Sequence, residues 1–362
     1  MSIADTAADM EWGECWLDSE PPPPALAAEV KKAMGGLLPE WASRLARVPW
    51  VVRAFAHTAS GKFAYMPPDL YTLISLVVSQ DNSCRYCYGV TRALLKIVGH
   101  RDEQIDRLQR SLELAEISPA EKAALLFVRK VTLANPRPSA SDLEALARAG
   151  FSGPAIAEIA YSAAVSGYHN RIATLFALPS QSFVRWVDHP IARLIRPLIA
   201  GKFRDRPHPP MDAPAPNDPP CSEVVAALGG SPGAHTVRRA VDEAFASTIL
   251  PARTKLLVFA VVGRALGCPH TEAEARRGLA AAGLTETDVD EILANLGSPK
   301  LDAREQMLVP FARETVRYRN GTIQGRTRAL AEQLPIEDVI EAVGIASLAN
   351  AIGRMSVIVE TC

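Results

Sequence analysis

Aromatic residues make up only 6% of this 362-residue chain, and neither sign of charge predominates, with 39 Lys and Arg against 40 Asp and Glu. A formal net charge of −1 gives no steering toward nucleic acid or an anionic membrane, and so few aromatics leave no obvious base-stacking platform. Nucleic-acid binding is the class these absences disfavour most. Long apolar runs are missing too. The longest, around 256–262, falls far short of the roughly 18 residues a bilayer span requires, so no membrane partner is expected. The opening MSIADTAADMEWGECW is acidic where a secretory signal needs a basic flank and an apolar stretch; a reducing, cytoplasmic location is the expectation. Six cysteines are too few for a disulfide scaffold. Cys15, Cys221, Cys268 and Cys362 are scattered, and only Cys84 and Cys87 form a close pair. No glycine-rich dinucleotide loop, phosphate loop or metal-ligand quartet occurs, so neither cofactor nor metal is expected.

What is present is an ordinary globular composition, 48% hydrophobic, in a length that favours two domains over one. Leu70, Leu73, Ile74, Val77 and Val78 recur at the spacing of an amphipathic helix face. No segment alternates like a strand between hairpin turns. The expected fold class is all-α. Residues 1–30, with the run Pro21 to Pro24, and the proline-dense segment 202–220 look unlike packed structure. The expected organisation is an acidic, proline-rich tail (1–30), a first domain (31–200), a linker (201–220) and a second domain (221–362).

The second domain repeats the first. YTLISLVVSQDNSC, ending at Cys84, matches KLLVFAVVGRALGC, ending at Cys268, at an offset of 184 that also carries Gly99 onto Gly283 and Phe127 onto Phe311. An offset of 183 carries Pro49 onto Pro232 and AEIAYSAAVSGYHNR, ending at Arg171, onto IEAVGIASLANAIGR, ending at Arg354. Landmarks holding one offset within a single residue are hard to obtain by chance.

Asn82 and Ser83 are helix N-cap types, and the apolar Val90, Leu94 and Leu95 continue a helix beyond them. Cys84 and Cys87 then lie one turn apart at the positive end of the helix dipole, where a thiolate is stabilised and a second thiol stands near enough to resolve it. The bland alternative is a pair of small residues in a helical core. A zinc site is disfavoured because no second pair sits at ligand spacing.

On these residues the chain resembles the alkylhydroperoxidase D / carboxymuconolactone decarboxylase family. Within LISLVVSQDNSCRYCYGVTRALL, Ser79, Asn82, Cys84, Tyr86 and Cys87 match the family's core pattern, and Asn170 and Arg171 match the Asn-Arg pair that ends its second half. The resemblance covers about 40–180 and, more weakly, 221–360. It implies two tandem alkylhydroperoxidase D-like helical domains and a peroxiredoxin-type, antioxidant activity. Cys87 would meet a hydroperoxide, Cys84 would close the disulfide, and an external dithiol would restore the pair. It also implies a homo-oligomer.

The family's Glu twelve residues before the first cysteine is Thr72 here, and its His four after the second is Thr91. Threonine is no general base near neutral pH. His169, beside Asn170, is the candidate to replace the missing histidine, or else a satisfied core residue. Asn82 and Tyr86 are further auxiliary candidates. In the second copy Thr271 replaces the second cysteine, Leu256 and Ala275 occupy the Glu and His places, and His270 matches Tyr86. That copy is read as structural, standing in for a neighbouring subunit. Arg171 and Arg354, kept in both copies, are expected to cap carbonyls or pair with a carboxylate. Asp81 is expected to be an exposed turn residue, His100 to cap a helix end, and the N-terminal tryptophans to anchor the tail. The alternative function is a catalytically degenerate member that binds a small molecule or a protein. A third reading, decarboxylase-like chemistry on a lactone acid, lacks a convergent base.

Overall fold

A computed structural model describes residues 10–113, 115–191, 196, 198, 200–201, 207–215 and 221–360. Among them there is no strand. The helices are α1 (Pro24–Ala33), α2 (Glu40–Arg44), α3 (Pro49–Ala59), α4 (Leu70–Asp81), α5 (Arg85–Val98), α6 (Asp102–Arg110), α7 (Pro119–Leu133), α8 (Ala140–Arg148), α9 (Gly153–Leu175) and α10 (Ser182–Trp186). After the proline-rich segment come α11 (Ser222–Leu228), α12 (Pro232–Ala246), α13 (Ala252–Leu266), α14 (Pro269–Ala281), α15 (Glu286–Asn295), α16 (Ala303–Glu314), α17 (Asn320–Ala331), α18 (Ile336–Met355) and α19 (Val357–Glu360). The all-α class read from the periodicity is what the chain adopts.

Local signals set the helix ends, and they recur along the chain. Ser118 caps α7 through a reciprocal pair with Glu121, and Asp302, 184 residues on, caps α16 with Glu305 in the same way. Gly99 and Gly283 both take positive φ just beyond α5 and α14. The two long helices, α9 and α18, pack extensively against each other and are buried nearly all round. A single hydrophobic core continues from residues of 17–178 into residues of 221–358.

Two buried carboxylates lace the halves together. Glu158 of α9 accepts from the amides of Ala64, Tyr65 and Met66 and from Ser231 Oγ at the start of α12. Glu341 of α18 accepts from the Leu250 amide and from Trp50 Nε1 at the start of α3. Each therefore satisfies a loop in its own half and a group of the other half. Gly344 lets α18 lie close against α3, since a Cβ there would lie 2.6 Å from Val51 Cγ2.

Three expectations are corrected. The N-terminal segment is packed from residue 10 onward: Leu17, Leu26 and Val30 are buried, and Pro24 opens a helix because its missing amide falls in the first turn, where no intrahelical partner exists. Trp12 Nε1 donates to Leu178 O and Trp16 meets the Phe176 ring, so the tryptophans do fasten this segment. Asp81 is not exposed; its side chain is 8% accessible and pairs with Arg129. The helix N-cap is Cys84 itself rather than Asn82 or Ser83. Of the expected linker, 202–206 and 216–220 lie outside the described residues, as does Cys362; in between, His208 N bonds Phe63 O and Met211 N bonds Gly230 O. The one described helix long and apolar enough to cross a membrane, 336–359, has 94% of its apolar window buried inside the protein.

Candidate functional site

The sequence between α4 and α5 folds as two caps in succession. Ser83, at φ 51°, ends α4 with its amide bonded to Gln80 O, and the Cys84 amide bonds Ser79 O. The second half builds the same turn with Gly267, which takes the left-handed conformation without a Cβ penalty. Cys84 then caps α5, its Sγ accepting from the Cys87 amide at 3.4 Å. A sulfur in this place receives the amides and the positive end of the helix dipole.

Both thiols are free, with Cys84 fully buried and Cys87 9% exposed. Burial alone raises the Cys84 thiol. Donation from the Cys87 side chain and amide and from the Tyr86 amide, helped by the nearby Thr174 hydroxyl, outweighs it and holds Cys84 below the usual thiol range. Burial, donation of its own proton to Cys84 and the charge there push Cys87 well up, with Asn170 opposing. Cys84 is thus the more acidic of the two thiols and Cys87 the less acidic.

Cys87, not Cys84, faces a cavity of about 150 Å³. Thr72 from α4, Tyr86 and Thr91 from α5, and His169 and Asn170 from α9 line it together with Cys87. Its other walls are largely apolar: Met34, Trp41, Phe55, Tyr71, Val90 and Leu94. The structure therefore brings five of the seven sequence-selected residues to one space. Cys84 lies behind Cys87. Asn82 lies outside the cavity and donates to Asn170 Oδ1 at 3.0 Å, while Asn170 Nδ2 donates to Ser79 Oγ at 3.2 Å. Asn82 thus orients the amide that reaches Cys87.

His169 is neutral. Burial, opposed by a hydrogen bond to the Phe55 backbone, lowers its pKa to about 3. Thr58 Oγ1 donates to Ala54 O and lies 2.7 Å from His169 Nε2. The ring stacks at 4.6 Å from Phe55. The unfolded chain's imidazole takes up a proton below about pH 6.5, whereas the folded one does not until about pH 3. Acid therefore favours unfolding through that window. The expected result is a stability that falls on acidification from pH 6.5 by up to about 1.4 kcal/mol per pH unit from this group. Urea melts of His169→Phe should lack that component; an unchanged slope between pH 4 and 6.5 would refute it.

Tyr86 also stays protonated, since burial and the neighbouring Cys87 raise its phenol and outweigh Gln181 Nε2, which donates to its oxygen at 2.9 Å and opposes the shift. Residues that sequence reasoning missed complete the surroundings. Trp41 and Phe55 come from α2 and α3, and their rings meet at 4.4 Å. The Thr174 hydroxyl approaches Cys84 and, on its other side, Tyr318 of the second half. Both hydroxyl oxygens are shut away from solvent without a well-formed hydrogen bond.

The matching place in the second half is packed differently. Leu256, at the position of Thr72, packs on Gly278, at the position of Leu94, and fills the space. Cys268 caps α14 by accepting from the Thr271 amide at 3.3 Å and also contacts Ser356 Oγ at 3.0 Å. His270 stands 3.4 Å from Glu223 and 3.6 Å from Glu274. Among the described residues no group of His, Cys, Asp and Glu is placed to hold a metal ion. Comparison with protein-family models, curated proteins and solved structures finds no match for this chain.

Proposed function

We propose that the chain is an alkylhydroperoxidase D-like thiol oxidoreductase of peroxiredoxin type that reduces a hydroperoxide with Cys87 and resolves with Cys84, working in the reducing cytoplasm. The observation that carries this reading is the arrangement of the pair: a buried, amide-stabilised Cys84 behind a Cys87 that faces an apolar cavity. In this reading Cys84 is the thiolate and Cys87 keeps its proton, and exchange of that proton between them offers a route around Thr72 and Thr91. Cys87 passes its proton to Cys84 and attacks the distal peroxide oxygen. The O–O bond breaks, Cys87 becomes a sulfenic acid, and the proton on Cys84 goes to the departing alkoxide. Cys84, again a thiolate, attacks the Cys87 sulfur and expels hydroxide, which water buffers protonate. The two thiols have then lost two electrons as a disulfide, the hydroperoxide has become an alcohol and water, and an external dithiol returns the electrons. In this reading the second half supports the first as a neighbouring subunit does in a homo-oligomer.

The test is a thiol count before and after one equivalent of cumene hydroperoxide, with peptide mass spectrometry to locate any disulfide. Loss of two thiols as a Cys84–Cys87 disulfide, reversed by a dithiol, is the expected result. Retention of both thiols would favour the second reading, a binding module for a small molecule or protein, which the threonines at the two relay positions support.

A further inference from the structure

Arg171 and Arg354 occupy equivalent places in the two halves and are 2% and 4% exposed. Neither has a carboxylate partner among the described residues. Arg171 donates to the carbonyls of Thr315, Gly167 and Val316, and Arg354 to those of Thr132, Asn350 and, at 3.5 Å, Val316. Two buried guanidinium groups thus converge on one carbonyl. Buried cations without an anion are costly, because carbonyl dipoles offset only part of the lost hydration. Burial and the nearby Arg171 and Arg317 hold Arg354 well below the usual arginine range.

Arg354 opens onto a cleft of about 680 Å³ between the halves, whose rim carries Arg317 and Arg319. Arg317 gives one nitrogen to Ala134 O, at 3.0 Å, and forms no ion pair with the described residues; the Arg319 side chain makes no hydrogen bond or ion pair with them, its backbone carbonyl alone accepting from Ile323 N. Tyr318, between them, turns its hydroxyl inward without a well-formed partner. Two carboxylates also line the cleft, and neither neutralises these arginines. Asp81 is paired with Arg129, and Glu11 rests against Gly321 at the start of α17. Positive charge therefore accumulates on one wall of an open cleft that has spare, fork-shaped donors.

We propose that this inter-half cleft is a binding site for a small oxyanion, a carboxylate or a phosphate, held by Arg317 and Arg319 against the buried Arg354. Planar guanidinium groups suit either anion through paired N–H donors. The site is separate from the thiol cavity, and its test does not depend on redox activity.

The experiment is calorimetric titration and thermal melting of the full chain with inorganic phosphate and, separately, succinate, at ionic strength fixed with sodium chloride. Saturable one-to-one binding of either anion, with a raised Tm that chloride does not reproduce, is expected. Phosphate alone would identify a phosphoryl ligand, succinate alone a carboxylate, and both a shared oxyanion site. Arg317→Gln with Arg319→Gln, on exposed positions that leave the core intact, should weaken binding by about tenfold or more. The proposal is overturned if neither anion binds saturably, or if the double variant binds as tightly as the parent.

Discussion

Cys87→Ser is expected to reduce hydroperoxide consumption to the uncatalysed background, while Cys84→Ser leaves a slow reaction that stops at a sulfenic acid. The asymmetry follows from the positions of the two sulfurs. Cys87 is the one that a molecule in the 150 Å³ cavity meets, so its removal takes away the nucleophile. Cys84 is buried behind it and cannot reach that molecule. Serine is a good N-cap, so Cys84→Ser keeps α5 in place. It removes the acceptor of the Cys87 proton and the thiol that closes the disulfide, and loss of an internal base of this kind costs about 100-fold or more in rate. Reaction of Cys84→Ser with one equivalent of cumene hydroperoxide, followed by a sulfenic-acid trap and mass spectrometry, should place the label on Cys87. Label on Cys84 in the reverse variant, with undiminished turnover in Cys87→Ser, would sink the assigned roles.

Much of this site was legible because its parts are local in sequence. The spacing of Cys84 and Cys87 at the start of an amphipathic helix contains the geometry: one turn brings the second amide onto the first sulfur. Thr72, Tyr86 and Thr91 come from the family resemblance rather than from spacing, and all three line the cavity. His169 is singled out only by its place beside Asn170, and it reaches the cavity because α9 packs on α4 and α5. What the sequence could not disclose are contacts between distant segments. Trp41 and Phe55 enter the cavity from helices before the motif, and Tyr318 approaches from the other half. No periodicity encodes such meetings.

The misread N-terminal segment has a different cause. A run of prolines signals an open chain and a helix start equally well, and only the burial of Leu26 and Val30 decides between them. The cap of α5 lies one residue beyond Ser83 and two beyond Asn82, a place the sequence hides because sulfur is a less usual N-cap than their oxygens. Ser83 is instead spent on the left-handed turn that ends α4, a conformation costing a residue with a Cβ roughly 1–2 kcal/mol. The repeat itself was visible at 183–184 residues, yet its strongest structural trace, the matched Glu158 and Glu341, is read only with the loops they bind.

Those carboxylates set the largest expected loss of stability. Glu158→Ala strips the acceptor from three amides at 2.7–2.8 Å and from Ser231 Oγ at 2.6 Å, all at a residue with no solvent access. Breaking one side of a buried charged network costs about 3–5 kcal/mol, since the orphaned donors lose both water and partner. Glu158→Gln restores one acceptor oxygen but turns an amide N–H₂ toward N–H donors, so it should recover less than half. Ser231→Ala, which leaves the three amides satisfied, should cost only about 1 kcal/mol. Urea unfolding of the whole chain measures all three. The denaturant midpoint should fall while the m-value and the single transition persist, because the hydroxyl on Glu158 belongs to the other half and the core is continuous. Two separated transitions in Glu158→Ala would mean that 49–175 and 232–355 hold together independently, and a loss below about 1 kcal/mol would mean that water replaces the carboxylate.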